Sequence, residues 1–216
     1  MALKTVKIPE VQIQVDLVHD QPRRKVGLMG GTFNPPHLGH LLVAEQVLSQ
    51  LGLDEVIFIP DNKPPHIDEK KTISAQTRLE MTKLSIQGNP HFSVSDIELK
   101  RGGVSYTYDT VQQLRREHPE NEYYFIIGGD MVEYLPTWYK IDELVKIVNF
   151  VGVKRPGYQL TSPYPVLWVD VPGFEVSSSL IRQKVASGCS IRYLVRDEVA
   201  DFIKEEGLYQ DGSSLQ

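Results

Sequence analysis

Short apolar runs alternate along this chain with segments in which apolar residues recur at helical spacing. From Lys25 onward, the apolar runs are bounded by glycine, proline or charged residues, which is typical of strands buried on both faces. The runs that predict strands are KVGLMGG (25–31), EVIFIP (55–60), HFSVSDIEL (91–99), EYYFIIGG (122–129), IVNFVGVKR (147–155) and PVLWVDV (165–171).

The segments between these strands carry helical patterns with clear ends. Residues 38–51 repeat apolar side chains on one helical face, and Gly52 is a natural C-terminal stop. Ser74 can cap a second helix, which ends at Gly88. The apolar positions of these two helices are Leu41, Ala44, Leu48, Leu51, Leu79, Met81 and Ile86. Further helices are predicted for TYDTVQQLRREHP (107–119), SSSLIRQKVAS (177–187) and VRDEVADFIKEEG (195–207).

Strands that alternate with helices predict an α/β fold: a single doubly wound, Rossmann-like parallel sheet with helices on both faces. No internal repeat or linker divides residues 25–210, so we expect one domain there and a short tail at 211–216. Residues 1–24 form an N-terminal extension. Apolar and polar residues alternate in it over residues 11–17, which fits an edge strand, whereas its polar end fits a tail.

Composition narrows the function classes. The 216 residues carry a formal net charge of −5, so no overall basic field attracts nucleic acid. No apolar stretch is long enough to span a membrane, and the N-terminus lacks the apolar core of a secretory signal. Cys189 is the only cysteine, which excludes an internal disulfide and a thiolate metal cluster and fits a cytoplasmic protein.

The segment GGTFNPPHLGH (30–40) concentrates the candidate chemistry. His37 and His40 share a face at the start of a helix, but their spacing lacks the glutamate and the further ligands of a zinc site. No Gly-x-Ser-x-Gly elbow supports a nucleophile. A phosphate site explains the segment better: Gly30 and Gly31 let the backbone turn sharply, and a helix N-terminus with imidazoles beside it favours an anion. Two exposed histidines in a loop are the alternative.

The segment resembles the His-x-Gly-His motif of the nucleotidylyltransferase superfamily. IPDNKPPH, GGVSYTYDT, GGDMVEYLPTWYK and VSSSLIR follow it in the order found in bacterial nicotinate-nucleotide adenylyltransferases, and the resemblance covers about residues 25–208. It implies transfer of the adenylyl group of ATP to nicotinate mononucleotide, with Mg²⁺ accompanying ATP and with deamido-NAD and pyrophosphate as products. It implies no nucleic-acid or membrane partner and leaves a homo-oligomer open.

For the ATP side, the resemblance implies that His37, His40 and Arg182 stabilise charge at the reacting phosphorus and on pyrophosphate. Asp130 would accept from ribose hydroxyls, although a helix cap is its simpler role. Other ATP contacts are expected from backbone N–H donors, from side-chain hydroxyls, and at a glycine that leaves room for the base or ribose. These residues are Gly30, Gly31, Thr32, Phe33, Gly39, Ser178 and Ser179.

For the acceptor side, Thr107 and Tyr139 are expected to present backbone N–H groups to the nicotinate carboxylate. Trp138 can stack on the pyridinium ring, or it can be an ordinary core residue, the role expected of Trp168. His66 is expected near the mononucleotide phosphate. The family commonly has a basic residue directly after this histidine, whereas this chain has Ile67 there, with lysines nearby at positions 63, 70 and 71.

Three rival functions remain. Pantetheine-phosphate adenylyltransferases resemble the ATP side but usually have threonine in place of His37, and they lack the SYTYDT and PTWYK segments. An adenylyltransferase that prefers nicotinamide mononucleotide as acceptor is a nearer rival than the pantetheine-phosphate enzyme. A regulator that binds nucleotide without turnover is the alternative from another class.

Overall fold

The structure is a computed structural model that describes residues 23–63, 72–154 and 161–210. Its centre is a sheet of six strands in the order β3-β2-β1-β4-β5-β6, and every neighbouring pair is parallel. The strands are β1 (Arg24–Gly31), β2 (Glu55–Pro60), β3 (Phe92–Val94), β4 (Asn121–Gly128), β5 (Asn149–Val153) and β6 (Val166–Val169). The strand order reverses direction between β1 and β4, and ligands of such sheets bind at that crevice.

Eight helices connect or follow these strands in the described part of the chain. They are α1 (Leu38–Leu51), α2 (Ala75–Ile86), α3 (Ile97–Arg101), α4 (Thr107–Glu117), α5 (Gly129–Val132), α6 (Ile141–Leu144), α7 (Ser178–Ala186) and α8 (Asp197–Glu205). Together with the parallel sheet they confirm the predicted Rossmann-like α/β fold.

The two faces of the sheet bury separate apolar clusters, because successive strand residues point to opposite sides. On one face, Leu28 of β1 packs in a cluster with Val111 of α4 and Leu144 of α6. On the other, Met29 lies in a cluster with Ala44 and Val47 of α1. The helices therefore cover both faces, as the continuous apolar runs of the strands predicted.

A third cluster joins helices to one another. It contains Met81 of α2, Ile181 of α7, Val199 and Ile203 of α8, and Tyr209 beyond α8. This cluster fixes the N-terminus of α7 and the end of the described chain against α2, next to the carboxyl ends of β1 and β2.

The predicted helix ends are confirmed at two points. Gly52 follows α1 with φ 58°, the left-handed conformation that glycine adopts without a steric cost. The side chain of Ser74 accepts a hydrogen bond from the amide of Thr77 at 3.0 Å and caps α2.

The predicted strand at 91–99 is too long. Pairing with β2 ends at Val94, and Ile97–Arg101 forms α3, whose first amide donates to the hydroxyl of Ser95 at 3.3 Å. Gly102, with φ 70°, ends this helix. Ile97 faces the core from a helical turn instead of a strand, and so short an apolar run does not distinguish the two.

Residues 1–22 of the N-terminal extension and the C-terminal tail lie outside the described residues, so the expected alternation over residues 11–17 stays a prediction. Arg24, the last residue of the extension, is the first residue of β1. Among the helices of the described ranges, none combines the length and the apolar character needed to cross a bilayer.

Candidate functional site

Gly30 and Gly31 do not form the turn that the sequence predicts. Both are the last residues of strand β1, paired with Ile59 and Pro60 of β2. A Cβ atom at Gly31 would lie 3.2 Å from the ring of Phe33, and one at Gly30 would lie 3.2 Å from the ring of Phe125. The two glycines therefore make room for aromatic rings beside the strand end.

The turn itself is made by Phe33, whose φ is 48°. Its buried ring packs edge-on against His40, with 5.1 Å between ring centroids, and against Phe58 at 5.9 Å. An aromatic residue in a left-handed conformation is uncommon and strained. The apolar contacts of its ring hold the chain in this conformation at the carboxyl end of β1.

His37 and His40 form one unit at the N-terminus of α1. Their rings stack, with centroids 3.7 Å apart and an interplanar angle of 26°. The amide of His37 donates to Nδ1 of His40 at 3.1 Å, which orients the second ring. The structure thus brings the two predicted histidines together, with His37 buried and His40 partly exposed.

Gly39 allows this stack to form. A Cβ atom there would lie 3.0 Å from Nδ1 of His37 and 3.0 Å from a methyl group of Val176. The space next to the glycine is thus filled by the protein itself. The predicted contact of Gly39 with ATP stays an expectation.

The N-terminus of α7 docks onto the same loop. The hydroxyl of Ser178 donates to the carbonyl oxygen of Pro35 at 2.8 Å. Arg182, one turn into the helix, donates to the carbonyl oxygen of Asn34 at 2.8 Å and to the hydroxyl of Ser179 at 3.1 Å. The two predicted ATP motifs, which are far apart in sequence, therefore meet at the loop after β1.

Arg78 of α2 holds this loop in place, a role that the sequence pattern did not predict. Its side chain is 1% exposed and lies 3.0 Å from the carboxylate of Asp61. The guanidinium also donates to the carbonyl oxygens of Thr32 at 2.6 Å and of Asp61 at 2.8 Å. Asp61 in turn accepts from the hydroxyl of Thr32 at 2.8 Å. One buried ion pair thus fixes both loops that leave the carboxyl ends of β1 and β2.

The sequence pattern did not predict the burial of Arg78, because hydrophobic periodicity identifies only apolar residues as buried. In α2 it shares a buried stripe at helical spacing with Thr82 and Ser85, whose hydroxyls donate to the carbonyl oxygens one turn earlier. A polar stripe of this kind resembles a solvent-exposed helix face. The available signal is the regular spacing of an arginine with two small hydroxyl residues.

Asp130 lies in the first turn of α5, directly after the carboxyl end of β4. Strand β4 pairs with β1, so the aspartate and the histidine loop leave the same edge of the sheet from neighbouring strands. The carboxylate is partly exposed there. This position suits the ribose contact expected of it.

The predicted acceptor residues meet at the N-terminus of α4. Thr107 is the first residue of that helix, and its neighbours Tyr106 and Tyr108 both contact the ring of Tyr139, with centroids 4.7 and 6.2 Å away. Lys140 lies over the ring of Tyr108 at 4.7 Å. The structure therefore places the Thr107 and Tyr139 segments side by side.

Trp138 has one edge in the core. Its ring meets those of Phe125 and Phe150 edge-on, each at 5.8 Å, and its side chain is half-buried. It follows a single 3₁₀ turn at Leu135–Thr137. Trp168 also packs half-buried against this core, as expected of it.

The loop after β2 connects the region around the histidine loop with the segment that enters α4. The amide of Asn62 donates to the hydroxyl of Ser105 at 2.9 Å, and the amide of Ser105 donates to the carbonyl oxygen of Lys63 at 2.9 Å. Lys63 is exposed beside the segment that enters α4. His66, Ile67 and the lysines at 70 and 71 lie outside the described residues.

Glu98 supports the same loop from α3. It accepts from the hydroxyl of Thr110 at 2.6 Å. Burial raises the pKa of Glu98, although hydrogen bonds from Ser105 and Thr110 and the nearby charge of Arg101 oppose that rise. The buried carboxyl group thus links α3 to α4 through a hydrogen bond.

Comparison with known proteins shows the family of this chain. A family model described as cytidylyltransferase-like matches residues 28–184. A Lactiplantibacillus plantarum protein named "Probable nicotinate-nucleotide adenylyltransferase" is 56% identical over 208 residues, covering 96% of this chain and 99% of its own length. A protein of the same name from Enterococcus faecalis is 55% identical over 202 residues, covering 94% and 92%. The chain belongs to the nicotinate-nucleotide adenylyltransferase family.

A solved structure with low sequence identity to this chain has the same fold. The Plasmodium falciparum nicotinic acid mononucleotide adenylyltransferase complexed with NaAD superposes with a TM-score of 0.73. It is 19% identical in sequence, and the match covers 86% of this chain and 97% of that chain. The fold of this chain therefore also occurs in a protein with little sequence identity to it.

Proposed function

We propose that this chain transfers the adenylyl group of ATP to nicotinate mononucleotide, forming deamido-NAD and releasing pyrophosphate. The observation that carries the proposal is the junction of the stacked His37 and His40 with Ser179 and Arg182 at one loop. Two helix N-termini, two imidazoles and a guanidinium converge there, which is an arrangement suited to a polyphosphate.

The reaction needs no covalent enzyme intermediate. A phosphate oxygen of the mononucleotide attacks the α-phosphorus of ATP, a new P–O bond forms, and the bond to the pyrophosphate oxygen breaks. Charge moves onto pyrophosphate, so positioning and electrostatic stabilisation supply most of the catalysis. Both imidazoles belong to the proposed charge-stabilising group, and His40 is the more exposed of the two.

Arg182 and the hydroxyls of α7 would receive the leaving pyrophosphate. The guanidinium is already oriented by the Asn34 carbonyl and by Ser179, so little reorganisation is needed when charge develops. Asp130 would accept from the ribose, and Thr32 and Phe33 would add backbone donors at the strand end. The amide of Leu38 already donates to the carbonyl oxygen of Leu194 at 2.9 Å, so it is not among these donors.

On the acceptor side, the amides of Thr107 and Tyr139 would hold the nicotinate carboxylate, and the exposed part of Trp138 would cover the pyridinium ring. The proximity of Tyr106 and Tyr108 to Tyr139 supports this arrangement. His66 stays a candidate for the mononucleotide phosphate, and Lys63 is the one of its three neighbouring lysines that lies within the described residues.

Mg²⁺ enters this proposal as part of the ATP complex. No group of three or more histidine, cysteine, aspartate or glutamate residues within the described ranges could hold a metal. The imidazoles, hydroxyls and guanidinium of the site fit phosphate oxygens rather than a hard cation. Mg²⁺ often binds mainly through substrate phosphates and water, which this donor set permits. Bound there, it would neutralise phosphate charge.

The cellular setting belongs to the same proposal. Cys189 is a free, exposed thiol, as expected of a protein in the reducing cytoplasm. We propose residues 25–210 as the catalytic unit, with no nucleic-acid or membrane partner. A homo-oligomer stays open, and the mass of the protein in solution measures it.

The test is release of pyrophosphate from ATP in the presence of nicotinate mononucleotide, nicotinamide mononucleotide or pantetheine phosphate, with the product identified by mass. We expect deamido-NAD with the first acceptor and much slower reactions with the others. Binding of ATP without turnover would favour the nucleotide-binding regulator. Faster turnover of pantetheine phosphate would replace the proposed acceptor.

A further inference from the structure

Tyr209 reaches the ATP side of the site from the far end of the chain. It follows α8, is 3% exposed, and packs in the cluster formed by Met81, Ile181 and the apolar face of α8. Its hydroxyl donates to Oδ1 of Asn34 at 2.8 Å, although 175 positions separate the two residues. Nothing in the sequence motifs points to this contact.

Asn34 holds two partners at once. Its side-chain oxygen accepts from Tyr209, and its backbone carbonyl accepts from Arg182 at 2.8 Å. The residue is 4% exposed and directly follows Phe33, the residue with the left-handed backbone. A shift of Asn34 would therefore move the acceptor that orients the Arg182 guanidinium.

The environment of the Tyr209 hydroxyl keeps it neutral, so that it acts as a hydrogen-bond donor. Burial raises the pKa of this phenol, although the nearby guanidinium groups of Arg182 and Arg78 oppose that rise. The hydroxyl thus stays protonated at physiological pH and can donate to the amide oxygen. Without this hydroxyl, the buried side-chain oxygen of Asn34 would lose a hydrogen-bond donor. Because such a loss costs free energy, the loop is expected to rearrange.

We propose that Tyr209 is a positioning residue for adenylyl transfer: through Asn34 it sets the position from which Arg182 meets the ATP phosphates. The inference rests on the proposed function in assigning Arg182 to ATP. Tyr209 itself touches no substrate in this scheme. It acts through one hydrogen bond and the loop that this bond holds.

The sharpest variant is Tyr209→Phe, which removes the hydroxyl and keeps the ring that packs against α2 and α8. Tyr193→Phe is the control for loss of an exposed phenol hydroxyl, because Tyr193 is 74% exposed, with the guanidinium of Arg192 over its ring. The dissociation constants for ATP and for nicotinate mononucleotide are measured by calorimetry for the wild type and both variants. The kcat and both KM values are then measured on the same preparations.

We expect Tyr209→Phe to weaken ATP binding about tenfold, equivalent to about 1.4 kcal/mol. Binding of nicotinate mononucleotide should stay within about twofold, and kcat should fall, since a displaced guanidinium also stabilises the leaving group less well. Tyr193→Phe should match the wild type. In an Arg182→Gln background, Tyr209→Phe should cause no further loss of ATP affinity.

Three results would overturn the inference. They are unchanged ATP binding in Tyr209→Phe, an equal loss for both ligands, and the same loss in the Arg182→Gln background. Because ATP binding is measured without an acceptor, these results can be interpreted even if the wild-type chain fails to adenylate nicotinate mononucleotide. That failure would count against the proposed reaction and not against the role of Tyr209 in ATP binding.

Discussion

The two halves of the site are built from different interactions. The ATP half-site, formed by residues 32–37 with the N-termini of α1 and α7, is tied together by hydrogen bonds to backbone carbonyls and by one buried ion pair. The acceptor half-site, formed by the N-terminus of α4 with residues 138–140, is assembled mainly from aromatic rings and a lysine over them.

The difference follows from the ligands proposed for each half. Charge that moves along a polyphosphate is stabilised well only by donors held at fixed positions, and buried carbonyls hold them there. A pyridinium ring needs a flat apolar surface, which tolerates small shifts. Exposure follows the same division, since Arg78 beneath the ATP half-site is 1% exposed whereas Tyr139 of the acceptor half-site is 44% exposed.

The largest expected effect comes from the ion pair beneath the ATP half-site. Arg78→Met should lower the free energy of unfolding by about 3–5 kcal/mol, because Asp61 is left as a buried charge without its partner. Urea denaturation measures it. Lys83→Met is the control: its pair with Glu80 at 2.9 Å is exposed, and such pairs contribute about 0–1 kcal/mol. Equal losses in the two variants would contradict the anchoring role.

The next largest effect is on turnover. His40→Ala should lower kcat by about 10²–10³, as for loss of one donor to a developing charge, or about 3–4 kcal/mol. The fold should survive, since His40 is partly exposed, and circular dichroism checks this. Turnover near the wild-type value would remove His40 from the catalytic group and leave the stack as a structural feature.

A smaller effect distinguishes acceptors. N–H donors from Thr107 and Tyr139 would satisfy both carboxylate oxygens, whereas nicotinamide would place its NH₂ against one donor, at a cost of about 1–3 kcal/mol or more when charge assistance is lost. We expect nicotinate mononucleotide to be preferred by at least about 10²-fold in kcat/KM. Steady-state kinetics with the two nucleotides measures the ratio.

Trp138 provides the control for that ratio. Its substitution by alanine should weaken both acceptors by similar factors, because ring stacking does not depend on the substituent. The variant is assayed well below its unfolding temperature, since the indole also packs against Phe125 and Phe150. A change in the preference itself would mean that Trp138 senses the carboxylate, and equal efficiencies in the wild type would overturn the acceptor assignment.

The smallest effect is expected outside both halves. Deleting residues 1–22 should leave a folded and active enzyme, because all the recognised motifs lie beyond Lys25. Activity and thermal unfolding of the shortened chain measure this. A change in oligomer size would assign the extension to a subunit contact, whereas complete loss of folded protein would move the domain boundary.

Most of the fold was predictable because strands and helices differ in hydrophobic period. Helix α1 and its stop at Gly52 follow from apolar spacing and one glycine. The prediction failed at 97–99, where Ile97 faces the core from a helical turn. It also gave Gly30 and Gly31 the turn that Phe33 makes, because a glycine pair indicates either a turn or a close approach of side chains.

The sequence by itself determined the α/β order and the motif that holds His37 and His40, since both depend on spacing along a short stretch of chain. Only the tertiary structure decided that Arg78 is buried against Asp61, and that Tyr209 holds Asn34 across 175 positions. Hydrophobic periodicity indicates which side chains leave water. The partner of a buried polar group depends on atoms that meet only when the whole chain has packed, so no local pattern contains it.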